Sequence, residues 1–145
     1  MGSAKAVEKM MVNCSREQFF AVITDYERLP EFIPDLDRVV VEKTTGTMNL
    51  VTYYITLLGR SISYSLQLTN YPHDSVTWKL IKGDFMKANE GKWTLEEVDA
   101  ETTRVTYELS MTFPMIVPSK IVAQLQKHSL PKLMEQYKGR AESLT

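Results

Sequence analysis

The chain carries one cysteine, Cys14, so no internal disulfide can form and packing alone must hold the fold. A lone thiol suits a reducing compartment. There are two histidines, His73 and His128, and with one cysteine and no clustered spacing they make no zinc site, so no metal is expected. Neither sign of charge is in excess: 17 Lys and Arg against 18 Asp and Glu leave a net −1. Nucleic acid rewards a strong basic surplus, so no nucleic-acid partner is expected. No apolar run approaches the ~18 residues of a spanning helix. The N-terminus has no basic segment ahead of an apolar one, and the chain is expected to be cytoplasmic. No phosphate loop, dinucleotide fingerprint or nucleophile elbow is present, and no cofactor is expected.

What is present suits one domain over residues 1–145, with 43% apolar and 24% charged residues. A first strand is predicted over residues 4–13. Ser15 then opens a helix, with Gln18 completing a capping box and Glu17 adding negative charge to the first turn. Phe19, Val22, Ile23 and Tyr26 give that helix one apolar stripe. Pro30 and Pro34 split the following stretch, so a second short helix is expected over residues 31–33. Strands are predicted next over residues 37–44 and 50–58. Ile62, Tyr64, Leu66 and Leu68 alternate with polar residues, as do Val76, Trp78 and Leu80. Trp93 and Leu95 follow, and then Val105, Tyr107, Leu109, Met111 and Phe113. Period two marks half-buried antiparallel strands, and connections this short require a meander. Residues 118–143 read as one long helix, interrupted near Pro131.

The predicted fold is therefore α+β: a curved seven-stranded antiparallel sheet wrapped around a long C-terminal helix, with two short helices after strand 1. A sheet with one apolar face must be covered. A ~26-residue helix is ~39 Å long but only ~10 Å wide, and cannot fill the whole concave face. Gly59, Gly83 and Gly91 are expected bend or bulge points. Tyr64, Leu66, Trp78, Leu80 and Trp93 are candidates to line the hollow from the sheet. So are Leu95, Tyr107, Leu109 and Met111, with Ile121 and Leu125 from the helix. Periodicity leaves two outcomes open: these side chains meet as plain core, or they leave a ligand cavity.

The run Phe19-Phe20-Ala21-Val22-Ile23-Thr24-Asp25-Tyr26-Glu27-Arg28-Leu29-Pro30-Glu31-Phe32-Ile33-Pro34 resembles the helix-helix segment of the polyketide cyclase/dehydrase and coenzyme-Q-binding proteins. These belong to the START-like, birch-pollen-allergen-like superfamily. Weaker likenesses follow in matching order: Gly83-Asp84-Phe85 with Gly91-Lys92-Trp93-Thr94-Leu95, then Thr103-Arg104-Val105-Thr106-Tyr107, then Leu130-Pro131. The resemblance covers nearly the whole chain. It implies a helix-grip fold with a deep apolar cavity for a lipid, isoprenoid quinone or polyketide. Its members differ in activity, so it does not settle function.

Three functions follow from this reading. The leading one is a carrier of a hydrophobic small molecule or lipid, coenzyme Q among them. The second is a polyketide cyclase or dehydratase, for which His128, on the long helix and expected to face the sheet, or a tyrosine is the acid-base candidate. The third is a protein-interaction module, since relatives include a toxin that acts on ribosome assembly. The apolar connection Phe113-Pro114-Met115-Ile116-Val117-Pro118 is expected at the pocket edge, in transient contact with a membrane or a partner protein.

Overall fold

The computed structural model describes residues 2–57 and 59–144, so Leu58, expected to end a strand, lies outside the described residues. Strand β1 (Gly2–Val12) leads into helix α1 (Arg16–Thr24). The capping box forms as its residues require. The Gln18 N–H donates to the Ser15 hydroxyl at 3.1 Å, and the Ser15 N–H donates to Gln18 Oε1 at 3.0 Å. Two otherwise unpaired amides are thereby satisfied, and α1 buries Phe19, Phe20, Val22 and Ile23 against the sheet.

The second helical piece lies earlier than expected. It is a 3-10 helix over Tyr26–Glu31, with Pro30 inside it rather than ahead of it. Such turns bond i to i−3. At its ends, Arg28 N–H donates to the Asp25 carbonyl at 3.2 Å, and Phe32 and Ile33 both donate to the Leu29 carbonyl. Pro30 lacks an amide hydrogen, and a short 3-10 piece of this kind tolerates the missing donor better than a long α-helix would.

Six strands follow: β2 (Leu36–Thr45), β3 (Met48–Leu57), β4 (Arg60–Tyr71), β5 (Ser75–Gly83), β6 (Ala88–Asp99) and β7 (Thr102–Phe113). They form one antiparallel sheet in the order β1-β7-β6-β5-β4-β3-β2, so β1 returns to pair with the last strand and β2 forms the opposite edge. The β2–β3 turn holds Gly46 at φ 60°, a left-handed conformation that suits glycine. The ladder shifts register at Leu36/Arg38, Val41/Lys43, Ser65/Leu66 and Glu97/Asp99, the kind of break that bends a strand and adds twist. On the β2 edge, the Val41 N–H donates to the Glu27 carboxylate at 3.0 Å.

Gly91 lies inside β6, where the regular pairing places it opposite both Trp78 and Leu109. A Cβ there would overlap the Trp78 ring and the Glu108 carbonyl oxygen. Gly91 is thus a space-making residue that lets an indole lie across the strand, and not a bulge. Gly83 is also close-packed, against Tyr64 and Met86.

The C-terminal helical stretch is contiguous in sequence but mixed in kind: α2 (Ser119–Gln124), a π turn over Leu125–Ser129, and α3 (Leu130–Ser143). Pro131 lacks an amide hydrogen, and in a regular α-helix its ring would clash with the carbonyl of residue 127, four positions back. The wider π turn absorbs that conflict just ahead of the proline. No described helix is long and apolar enough to cross a membrane.

The main core joins α1, the sheet's inner face and α3, with Phe19, Val12, Val51 and Val105 fully buried. A smaller cluster gathers Ala4, Met86, Phe113, Val117 and Val122 at the start of the long helix. It divides the apolar connection that precedes α2. Phe113 and Val117 are buried anchors, while Met115 and Ile116 are 82% and 89% exposed.

Candidate functional site

Between the inner face of the sheet and α3 lies a cavity of about 250 Å³. The helix-sheet hollow is therefore not packed solid. Roughly 150 Å³ suffices for a benzene molecule, so the space admits a guest somewhat larger than one ring.

The sheet supplies most of the expected wall. Tyr64, Leu66, Trp78 and Trp93 line the cavity, and so do Tyr107, Leu109 and Met111. Three expected positions lie elsewhere. Leu95 is buried beside the Val105 end of β6, under the main core rather than at the opening. Leu80 is half-buried and packs between the two core clusters. Ile121 belongs to the small cluster at the start of the helix. The side chain of Leu125 lies outside the described residues. His128 is exposed on the π turn and is not part of the wall, which corrects the expectation that it faces the sheet.

The helical side of the wall comes from later residues: Leu130, Leu133, Gln136 and Tyr137 of α3. They fall at i, i+3, i+6 and i+7, so their shared face was readable even though their position over the hollow was not. Ile23, Tyr26, Leu29 and Ile33 close one end from the region of α1, and Tyr53 and Ile55 line it from β3. The alternation of Val51, Tyr53 and Ile55 is the signal that marks these β3 positions as inward.

The walls mix aliphatic with aromatic side chains. Trp93 meets Tyr107 and Tyr137 edge-on, with ring centroids 4.6 and 4.9 Å apart. Tyr53 and Tyr64 stack at 5.0 Å with their planes 14° apart. The Trp78 N–H donates to Asn89 Oδ1 at 3.0 Å, so this indole is committed to a side chain and is not free for a ligand. The Tyr26 hydroxyl donates to Asn70 Oδ1 at 3.0 Å. Asp35, exposed at the rim, is the one ionised side chain among the described lining residues, and no Lys, Arg or His is among them. No group of three or more His, Cys, Asp or Glu among the described residues is placed to hold a metal ion.

Burial raises the pKa of every tyrosine that lines the cavity. Tyr64 is pushed up to about 12 by loss of water around the phenolate, and Tyr26 and Tyr107 are pushed higher by the same cause. Tyr53 and Tyr137 are raised well above the ordinary value, first by burial and then by repulsion from neighbouring phenolates. The unfolded chain would release these protons near pH 10. Above that pH the unfolded state binds fewer protons, so this contribution to stability is complete below about pH 10 and is lost as pH rises through the folded values. Each such tyrosine costs about 1.4 kcal/mol per pH unit in that window. The melting temperature is therefore expected to fall steeply from pH 10 to 12, with the phenolate absorbance of these tyrosines rising only as the protein unfolds. Five equivalents of phenolate in the folded protein near pH 10 would contradict this burial.

The profile described as "Polyketide cyclase / dehydrase and lipid transport" matches residues 12–138. The chain belongs to this family. Among curated protein sequences none matches. Solved structures of the START superfamily share the fold. The protein TTHA0849 from Thermus thermophilus superposes with a TM-score of 0.85 at 16% identity, covering 97% of this chain and 99% of that one. A START superfamily protein from Mycobacterium smegmatis gives 0.83 at 19% identity, covering 97% and 99%. The Zhui aromatase/cyclase from Streptomyces sp. R1128 gives 0.83 at 13% identity, covering 97% and 94%. For this member of the polyketide cyclase and lipid transport family, likeness at such identities establishes the helix-grip fold, and the cavity's own residues must carry any argument about its guest.

Proposed function

We propose that residues 1–145 act as one START-like domain that binds and carries a hydrophobic small molecule in the cytoplasm, without a cofactor. The observation that carries this reading is the 250 Å³ cavity walled by aromatic and aliphatic side chains. Tyr64, Leu66, Trp78, Trp93, Tyr107, Leu109 and Met111 are its proposed contacts on the sheet. The volume suits the ring of a quinone or a short polyketide better than a complete isoprenoid tail. The exposed Met115 and Ile116 favour transient contact with a membrane or a partner protein during loading.

A cyclase needs a group that takes up a proton near neutral pH. His128 is exposed and outside the wall, Asp35 is exposed and reaches only the rim, and burial keeps the tyrosines protonated, so they donate hydrogen bonds but make poor bases. This weighs toward carriage over catalysis.

The test is solvent extraction and native mass spectrometry of the purified protein, followed by melting with a panel of lipids and quinones. The expected result is a co-purifying apolar compound, or a melting temperature raised by at least one panel member. The gain should vanish in a folded Leu109→Trp variant, whose indole occupies the cavity. No compound and no shift across the panel would overturn the carrier reading.

A further inference from the structure

The side chains at the tip of the β7–α2 connection lie outside both core clusters. The Val117 N–H donates to the Pro114 carbonyl at 3.0 Å and closes a turn with Met115 and Ile116 at its centre. Such positions usually fall to Gly, Asn, Asp, Ser or Pro. Here they hold two large apolar side chains, the most exposed of their kind among the described residues. Phe113 and Val117 are buried on either side and fix the turn, so the pair is presented to the outside.

The strand register places this tip. Phe113 pairs with Gly2 and Thr112 with Ala88, and at the same end of the sheet Tyr64 pairs with Gly83, Leu57 with Arg60 and Leu36 with Ile55. Leu36 and Ile55 line the cavity beside Asp35, so the tip and the cavity rim share one end of the molecule.

Charge is sorted along the same axis. From Leu109 to Met134 the chain has no Asp or Glu, but it has Lys120, Lys127 and Lys132. The Lys87 N–H donates to the Thr112 carbonyl at 2.7 Å, which ties Lys87 to the strand that carries the tip. Lys87 and Lys120 are exposed, as are Arg60 and Lys82 on neighbouring strand ends. The acids of this end are Asp35, Asp37 and Asp84. Asp37 accepts from the Thr56 hydroxyl at 2.7 Å, and Asp84 from the Ser63 N–H at 3.0 Å. At the far end, the β6–β7 turn exposes Glu97, Asp99 and Glu101, with no Lys or Arg from Thr94 to Thr103. A net charge of −1 thus conceals one basic end and one acidic end.

We infer that the basic end docks on an anionic phospholipid bilayer, with Met115 and Ile116 inserted among the acyl chains and Lys87 and Lys120 against the headgroups. The inference rests on the contact proposed above for loading, and names its partner. Two adjacent side chains cover far less than the ~800 Å² that each partner gives to a stable protein interface. A bilayer demands no shaped counterpart: shallow insertion of a few apolar groups adds to a contribution from each basic residue near the surface. The charge asymmetry turns the basic end toward a negative surface and the acidic end away. Docked in this way, the cavity rim lies beside the lipid from which a guest is drawn.

Flotation of the full chain with vesicles of phosphatidylcholine, alone or with about one-third phosphatidylserine, tests this without any cargo. The expected result is binding at least about tenfold tighter to the anionic vesicles, weakened when salt rises from about 0.1 M to about 0.5 M. Met115→Ser/Ile116→Ser should lose about tenfold or more with the melting temperature unchanged, since both side chains already stand in water. Lys87→Gln/Lys120→Gln should lose about tenfold on anionic vesicles only. Val98→Ser, an exposed apolar position at the far end, should lose nothing. In Met115→Trp, the indole emission should shift to the blue on mixing with anionic vesicles. Equal affinity for the two vesicle types, full binding by either double variant, or an unshifted Met115→Trp emission would overturn the inference. So would a failure to bind either vesicle, which would leave the tip to a partner protein. Carriage fails separately, because extraction and melting read it without vesicles: a chain that holds a compound but ignores bilayers loses the docking surface alone.

Discussion

Trp93→Ala is expected to remove about 3–5 kcal/mol of folding stability. Trp93 is 4% exposed and stands where three layers meet. Its ring contacts Phe19 of α1 at 5.6 Å, Tyr107 of β7 at 4.6 Å and Tyr137 of α3 at 4.9 Å. Truncation loses the buried area and also the edge-to-face contacts, each worth about 0.5–1.5 kcal/mol beyond area. The loss should sit at the high end of its class. The space left behind merges with an existing cavity, and the surrounding walls are held by the sheet and cannot collapse to fill it. A domain of this size commonly has about 5–15 kcal/mol in total, so the variant would fold only marginally. Urea denaturation checks this: the midpoint should fall sharply with little change in slope. A loss below about 1 kcal/mol would show that the three aromatic contacts contribute little.

Gly91→Ala should cost about 3 kcal/mol or more, although alanine ordinarily suits a strand at least as well as glycine. The reason is space and not backbone angle. An added methyl would meet the Trp78 ring on one side and the Glu108 carbonyl oxygen on the other. The carbonyl belongs to β7 and cannot retreat without disturbing the β6–β7 ladder. The indole is pinned by its hydrogen bond to Asn89. The two causes separate in a double-mutant cycle with Trp78→Phe, where the smaller ring should return part of the loss and the carbonyl should retain the rest. A neutral Gly91→Ala variant, measured by the same denaturation, would refute the close packing at this strand crossing.

Much of the architecture was legible because its causes are local. Ser15 and Gln18 announce the start of α1 three residues apart, and period-two runs such as Val105 to Met111 announce strands by themselves. Short connections then force a meander, which orders β2 to β7 but does not say that β1 returns to pair with β7. The site was half legible. Alternation gave the inward face of the sheet, which brought Trp78, Trp93, Tyr107 and Leu109 to the wall. It could not say which turn of the long helix crosses the hollow, so Ile121 was expected there in place of Leu130, Leu133 and Tyr137. His128 was misplaced for a definite reason. Its phase was counted at helical spacing from Leu125, but the π turn over Leu125–Ser129 closes with i to i+5 bonds and carries an extra residue. Every direction counted across it slips. Gly91 was read as a bend because a sequence shows that a glycine lacks a side chain, but not that Trp78 on the adjoining strand occupies the vacancy.

The open sheet leaves two borders whose outward backbone groups another polypeptide could extend. The β2 border is defended three ways. Its two irregularities, at Leu36/Arg38 and Val41/Lys43, break any straight run. The exposed Arg38, Glu42 and Lys43 would have to be stripped of water before a newcomer could align. Glu27 already holds the Val41 amide. These features disfavour templated growth along β2, so the sheet can stay unclosed without that border acting as a template.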